Sequence, residues 1–185
     1  AYNTNVAAGN YLTFAVHNGT VSSVTDVMTL LGDGNVGIGT TSPVGLGGAT
    51  VLQVHDSGTD YAQLRLTNST SGSTVNQGFE LNFSGTDIYI NNRENGAMAF
   101  YNNGSEAMRI DSSRNLLVGT TDPDVSFSTS AGSSLQSNGQ THHSSSGTAL
   151  VLNRTASDGT IAQFRKAGTT VASIGVYESD RLYIA

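Results

Sequence analysis

The residues of this chain best suited to chemistry are the adjacent pair His142-His143, a scatter of aspartates and a set of tyrosines. Imidazole is a common metal ligand and general base. Adjacent residues on a strand point to opposite faces, so only one of the pair can enter a given site. Their neighbours are Ser, Thr and Gly, which supply no carboxylate to orient a ligating ring. We read the pair as part of a solvated loop rather than a metal centre. Asp56, Asp60, Asp122, Asp124, Asp158 and Asp180 raise the question of glycoside hydrolysis, which needs two carboxylates roughly 5–9.5 Å apart. Nearly all of them stand beside Gly, Ser or Pro, where Asp is favoured because its side chain closes turns. Tyr61, Tyr89, Tyr101, Tyr177 and Tyr183 could stack on sugars. Tyr89 and Tyr183 hold equivalent places between apolar residues, however, and are expected to face outward from their strands. The Gly-rich run at 32–39 lacks the Lys-Ser/Thr and the following helix of a phosphate loop. We expect no catalytic residue, no metal ion and no cofactor.

The elements that must position these residues are strands. Leu12, Phe14 and Val16 alternate with polar or small residues; so do Leu64 and Leu66, Leu81 and Phe83, Ile88 and Ile90. The rule continues through Met108 and Ile110, Leu150 and Leu152, and Leu182 and Ile184. Period-two alternation marks a strand with one buried face. Turn signals separate the runs: Asn18-Gly19, Asp33-Gly34, Ser57-Gly58, Ser84-Gly85, Asn103-Gly104 and Asp158-Gly159. No helical stripe of ten or more residues is present, so the chain reads as all-β.

Composition then asks how such strands are held together. Of the 185 residues, 37% are hydrophobic and 12% charged, and Gly, Ser, Thr and Asn together make 83. A chain with so little apolar surface struggles to offset its ordering entropy alone. The net charge is only −6, and the apolar residues are patterned rather than scattered. We therefore expect a core shared among identical chains. Lys166 is the one lysine and no three basic residues cluster, which argues against a nucleic-acid track. No apolar run of about twenty residues exists, so no membrane insertion is expected. Cysteine is absent, excluding disulfides. The start at Ala1 leads us to expect a segment of a longer polypeptide.

The chain also repeats itself. Residues 27–43 and 107–123 align without a gap, matching Met28 with Met108, Asn35 with Asn115, Gly39-Thr40-Thr41 with Gly119-Thr120-Thr121, and Pro43 with Pro123. Val51-Leu52 and Ala62-Gln63-Leu64-Arg65 return as Val151-Leu152 and Ala162-Gln163-Phe164-Arg165. Ile88-Tyr89-Ile90 answers to Leu182-Tyr183-Ile184, and Leu12-Thr13-Phe14 to Met98-Ala99-Phe100. We expect two modules, residues 1–92 and 93–185, the second carrying a Ser-rich insertion at 124–148. An insertion into one copy of a repeat normally lies in a surface loop.

Met108-Arg109-Ile110-Asp111-Ser112-Ser113, Asn115 and Val118-Gly119-Thr120-Thr121-x-Pro123 resemble a phrase of bacteriophage tail fibres and other tail-associated receptor-binding proteins. The copy from Gly34-Asn35 to Gly39-Thr40-Thr41-x-Pro43 is the closer match, and Arg114 departs from the usual turn glycine. The resemblance implies an elongated homotrimeric β-fibre, built as a triple β-helix, a β-prism or small sandwich modules. It also implies a location on the virion, outside the cell. Such fibres often end in a chaperone domain cleaved after assembly. The expected partners are two further copies of the chain, other virion tail or fibre proteins, and a host-surface glycan. The expected role is a structural, adhesive segment, with polysaccharide depolymerisation or a non-viral surface filament as alternatives. The expected receptor contacts are His142 and His143 in the inserted loop, with exposed Tyr101 and Tyr177 as secondary candidates.

Overall fold

The computed structural model describes residues 11–17, 24–58, 61–178 and 181–185. It is all-β, built of several open sheets, and its described residues contain no α-helix. The chain divides into two compact units, Ala1–Gly96 and Ala97–Ala185. Asn18-Gly19 lies outside the described residues, as do Asp60 and Asp180.

The first unit opens with β1 (Tyr11–His17), β2 (Val24–Leu31), β3 (Val36–Ile38) and β4 (Leu52–Val54), joined in that order into one sheet. β3 and β4 run parallel; the other pairs are antiparallel. A three-stranded antiparallel meander follows: β5 (Tyr61–Leu66), β6 (Phe79–Ser84) and β7 (Asp87–Asn92). The second unit opens with β8 (Met98–Asn102), β9 (Ser105–Ile110) and β10 (Leu116–Val118). Beside β10 run β11 (Gly132–Leu135) and β12 (Thr141–Ser144), completing a five-stranded sheet. It closes with the meander β13 (Gly159–Lys166), β14 (Thr169–Tyr177) and β15 (Arg181–Ile184).

The repeated phrase has a definite local structure. Gly39 and Gly119 both take positive φ, +76° and +68°, where the strand ends. Their N–H groups donate to Val27 and Ala107 of the neighbouring strand. Thr40 Oγ1 and Thr120 Oγ1 then accept from the N–H of Ser42 and Asp122, the hydroxyl turn expected of Thr in a loop. At the other end, Asn35 and Asn115 are buried clasps. The Asn35 amide donates to Asp33 and its oxygen accepts from Val51 N–H at 2.8 Å. Asn115 does the same with Asp111 and with Ser137 N–H at 2.9 Å. Burial disfavours the charge on Asp111, but the N–H and amide of Asn115 and the N–H of Ser113 outweigh it and hold its pKa below the ordinary value. Even a bulge recurs, at Phe14/Ala15 and at Phe100/Tyr101. Arg114 occupies the left-handed position that Gly34 holds in the first copy, with φ of +68°.

Two expectations are corrected here. The Ser-rich segment 124–148 is not a loop: it supplies a short 3-10 turn (Val125–Phe127) and the hairpin β11–β12. β11 pairs antiparallel with β10 and so takes the edge that β4 takes beside β3. Val151-Leu152, the counterpart of Val51-Leu52 in sequence, consequently lies in no strand.

The second correction concerns which faces are covered. Leu117 and Val125 are the only hydrophobic side chains buried among the described residues. The alternating residues expected to face inward are open: Phe14 is 43% exposed, Leu64 43%, Phe100 42% and Ile184 74%. In the β5–β6–β7 meander the register sets Leu64, Leu81 and Ile90 in one row, and Ala62, Phe83 and Ile88 in the next. That apolar face lies open, with Leu81 40% exposed and Ile88 73%. The covered face is the polar one, where Glu80 is fully buried and Asn82 nearly so. The same inversion holds in the first sheet, where Thr29 and Gly37 are buried while Phe14 and Ile38 are exposed. Each of these chain segments folds its own loops over its polar face and leaves its apolar face free.

Candidate functional site

Two clusters bring chemistry-bearing side chains together. The first lies on the covered face of the five-stranded sheet. Register places Arg109, Leu117, Ser134 and His142 in one row across it. The Val125–Phe127 turn folds over this face. His142 Nδ1 lies 3.1 Å from Asp124 Oδ1, and 3.5 Å from both Ser126 Oγ and Gln136 Nε2. The fold thus supplies the carboxylate that the local sequence lacked. It does not make a nucleophilic triad, because Asp124 and Ser126 approach the same ring nitrogen, whereas a relay needs one at each. Among the described residues no three His, Cys, Asp or Glu side chains are placed to hold a metal ion.

His143, one residue on, points to the opposite face. Its Nδ1 sits 2.9 Å from Ser133 Oγ, in the row that contains Val118. Tyr101 stands on β8, at the far edge of the same sheet from β12. The bulge beside it turns Glu106 onto the side of Arg109, and Tyr101 Oη donates to Glu106 at 3.5 Å. The Arg109 hydrogen bonds lower the Glu106 pKa, more than offsetting burial, and Glu106 in turn raises that of Arg109. Tyr177 ends β14, on a separate sheet. The four residues expected to contact a receptor are therefore not gathered into one site. Tyr101 and Tyr177 are exposed, and His142 is largely covered by its own loop. Tyr183 is also corrected: it is partly covered, over Gly175, with its hydroxyl 2.9 Å from Thr160 Oγ1.

The second cluster was not anticipated as a site. On the polar face of β5–β6–β7, register aligns Arg65 with Glu80 and Asn91, and Gln63 with Asn82 and Tyr89. Glu80 sits at the centre. Its Oε1 accepts from Arg65 Nε at 2.9 Å, and its Oε2 from Arg93 Nε at 2.9 Å and Asn82 Nδ2 at 3.2 Å. Gln63 Nε2 extends the network to Asn82 Oδ1 at 2.7 Å. The 67–78 loop, tied to Arg65 through Thr74 O, walls one end. Above the buried Glu80 is a cleft of about 810 Å3, lined by Gln63, Arg65, Asn82, Asn91 and Arg93, by Tyr61, Tyr89 and Asn76, and by the apolar Val75, Ile88 and Ile90. Comparison with protein-family models, with curated proteins and with solved structures finds no match. The chemistry of the cleft therefore has to be read from its own residues.

Burial disfavours the charge on Glu80, but hydrogen bonds from Arg93, Asn82 and Arg65 outweigh it and hold its pKa below the ordinary 4.5. A carboxyl kept ionised in this way cannot act as the general acid of glycoside cleavage, which needs a raised pKa. Its depressed pKa instead gives a stabilising contribution that is complete above pH 4.5 and lost as pH falls through the folded value. Glu80→Gln should lower the thermal midpoint by a constant amount between pH 7 and 5. Below about pH 4.5 the gap to wild type should narrow. Other carboxylates titrate alike in both proteins and cancel in the difference. A gap that stays fixed to pH 3 contradicts the assignment.

Proposed function

We propose that this chain is a structural, adhesive segment of a bacteriophage tail fibre, assembled as a homotrimer and carrying the virion to the host surface. The observation that carries the reading is the uncovered apolar face of its sheets. Ala62, Leu64, Leu81, Phe83, Ile88 and Ile90 form one such face, and Phe100, Met108, Ile110, Leu116, Val118 and Leu135 another. Isolated sheets with an open apolar face are not stable in water, and exposed patches of this size mark association surfaces. Burying one Leu, Ile or Phe contributes roughly 1.5–3 kcal/mol. Three copies sharing these faces would supply the core that Leu117 and Val125, the buried hydrophobic residues among those described, do not.

The doubled Gly-Thr-Thr-x-Pro phrase supports the fibre reading, since it resembles tail-fibre repeats and here builds the same turn twice. Threefold display would give weak surface contacts an avidity gain of about 10²–10⁴. On this reading His143 lies on an association face and His142 lies under its own loop, so exposed Tyr101 and Tyr177 are the better placed of the expected contacts.

Solution mass is the direct test. The expected value is three times the 19.1 kDa chain mass. Leu81→Asp, which puts a charge on the open face without touching the buried network, should dissociate the assembly. A stable, folded 19.1 kDa monomer overturns the trimer. Immunogold labelling that fails to place the chain on virion fibres overturns the tail-fibre assignment separately.

A further inference from the structure

The apolar face of the β5–β6–β7 meander accounts for assembly, but nothing in that role needs the cleft on its other side. We propose that this cleft binds an acidic saccharide, with Arg93 pairing with a sugar carboxylate and Tyr61 and Tyr89 flanking the rings.

Three features of the cleft lead there. The first is charge placement. Arg65 and Arg93 meet at the carboxylate of Glu80, while the other carboxylate of this face, Asp87, lies two rows away from Arg65, against the Tyr89 hydroxyl. The whole chain carries −6, so the paired arginines are a local feature and not a general basicity. Arg93 uses Nε on Glu80 and donates from neither terminal nitrogen to another described residue. That leaves one edge of a planar fork, the geometry that suits a carboxylate. Arg65, by contrast, spends its nitrogens on Glu80, Gln63 and Thr74, and so acts as a support.

The second feature is the aromatic pair. Tyr61 opens β5 and Tyr89 lies in β7, the two outer strands, with Asn82 of central β6 between them on the same face. Both rings are about half exposed. The Tyr61 hydroxyl makes no hydrogen bond to a described residue, and that of Tyr89 makes only a long one, 3.4 Å to Asp87. Half-exposed tyrosines either side of a polar floor present flat apolar faces with a polar tip, as suits a ring that is apolar on its faces and hydroxylated at its edge.

The third feature is preorganisation. The Gln63–Asn82–Glu80 chain of side-chain hydrogen bonds holds the floor in one arrangement before any ligand arrives. The amides of Asn76 and Asn91 line the walls, Asn91 Nδ2 donating to Glu80 Oε2 at 3.4 Å and its oxygen remaining an acceptor for a sugar hydroxyl. The volume lies within the ~300–1,000 Å3 range of small-ligand sites and accommodates a short oligosaccharide. The cleft centres on the polar face, and Ile88 and Ile90 of the apolar rows reach its lining at the β7 edge. Binding itself does not require the host-attachment reading; that reading bears only on which surface would carry the sugar.

The test is calorimetric titration of the assembled chain with short oligomers of galacturonate, glucuronate and mannuronate, and with their carboxyl-reduced forms. At least one uronate should bind saturably, and its reduced form at least about tenfold more weakly. Tyr61→Ala and Tyr89→Ala, both at exposed positions, should each weaken binding about tenfold with circular dichroism and melting unchanged. Rising salt should weaken the uronate and not its reduced form. Absence of binding by all three uronates overturns the proposal, as does equal affinity for the reduced forms or wild-type affinity in both variants. If binding fails while virions still adsorb through this chain, the cleft assignment falls and the attachment reading stands. If binding holds while the chain is absent from virions, the reverse follows.

Discussion

Gly39→Ala should destabilise the protein by about 2–4 kcal/mol, whereas the equivalent Gly119→Ala should cost only about 1 kcal/mol. Both glycines sit in the left-handed region, and an L-residue there is strained by roughly 1–2 kcal/mol. Only Gly39 is also crowded. A Cβ at Gly39 would lie 2.1 Å from the carbonyl oxygen of His55, whereas one at Gly119 meets nothing within 4 Å. The crowding atom belongs to backbone, and His55 N–H is itself bonded to Ile38 O at 2.8 Å, so it cannot swing aside. Relief requires β4 to separate from β3. Equilibrium denaturation at one fixed chain concentration measures both variants. Equal losses at the two positions contradict the close parallel pairing of β3 with β4.

That comparison shows where the sequence was legible and where it was not. Strands and turns were readable because they are local. Period two placed strands over Leu64–Leu66, Leu81–Phe83 and Ile88–Ile90, all of which lie in β5, β6 and β7. Asn103-Gly104 forms the left-handed pair, with φ of 48° and 74°, that the dipeptide signals. The doubled phrase marked Gly39 and Gly119 as turn residues. The difference between them was out of reach, since it arises from β4, which pairs parallel with β3 across the 39–51 loop, whereas in the second copy that edge is taken by the antiparallel β11.

Burial was misjudged for a related reason. Alternation says that one face of a strand is apolar; it does not say which element will cover it. In β6 the loops of the same chain settle on the Glu80–Asn82 face, because Arg65, Arg93 and Gln63 satisfy those groups at short range. Leu81 and Phe83 are left open. The cleft was hidden likewise. Arg65, Glu80 and Arg93 carry no recognisable spacing, and only the register of three strands brings them to one point. The Ser-rich insertion misled through composition, since Ser and Thr discourage an assignment to strand when no apolar partner is visible in the same segment. Its partners are across the sheet, in β10.

The same segment gives the second large effect: Leu117→Ala should destabilise the second unit by about 2–5 kcal/mol. Position 117 matches position 37 of the first copy, where the residue is glycine. There the exit loop presses close: a Cβ on Gly37 would lie 2.4 Å from Thr40 O and 3.3 Å from Pro43 Cδ. In the second copy the exit runs on into the Val125–Phe127 turn, and β11 brings Ser134 beside Leu117. The inserted hairpin thus creates the space that leucine fills, and Leu117 and Val125 become fully buried. Truncation removes that packing and leaves a void that Ser134, already buried without a partner for its hydroxyl, cannot close. Val118→Ala, one residue along on the open face, is the control. Its cost should appear as weaker association between chains and vary with chain concentration, while that of Leu117→Ala should persist at every concentration. A Leu117→Ala protein within about 0.5 kcal/mol of wild type would mean that the hairpin does not pack on β10, and the insertion would revert to the surface loop that its composition suggests.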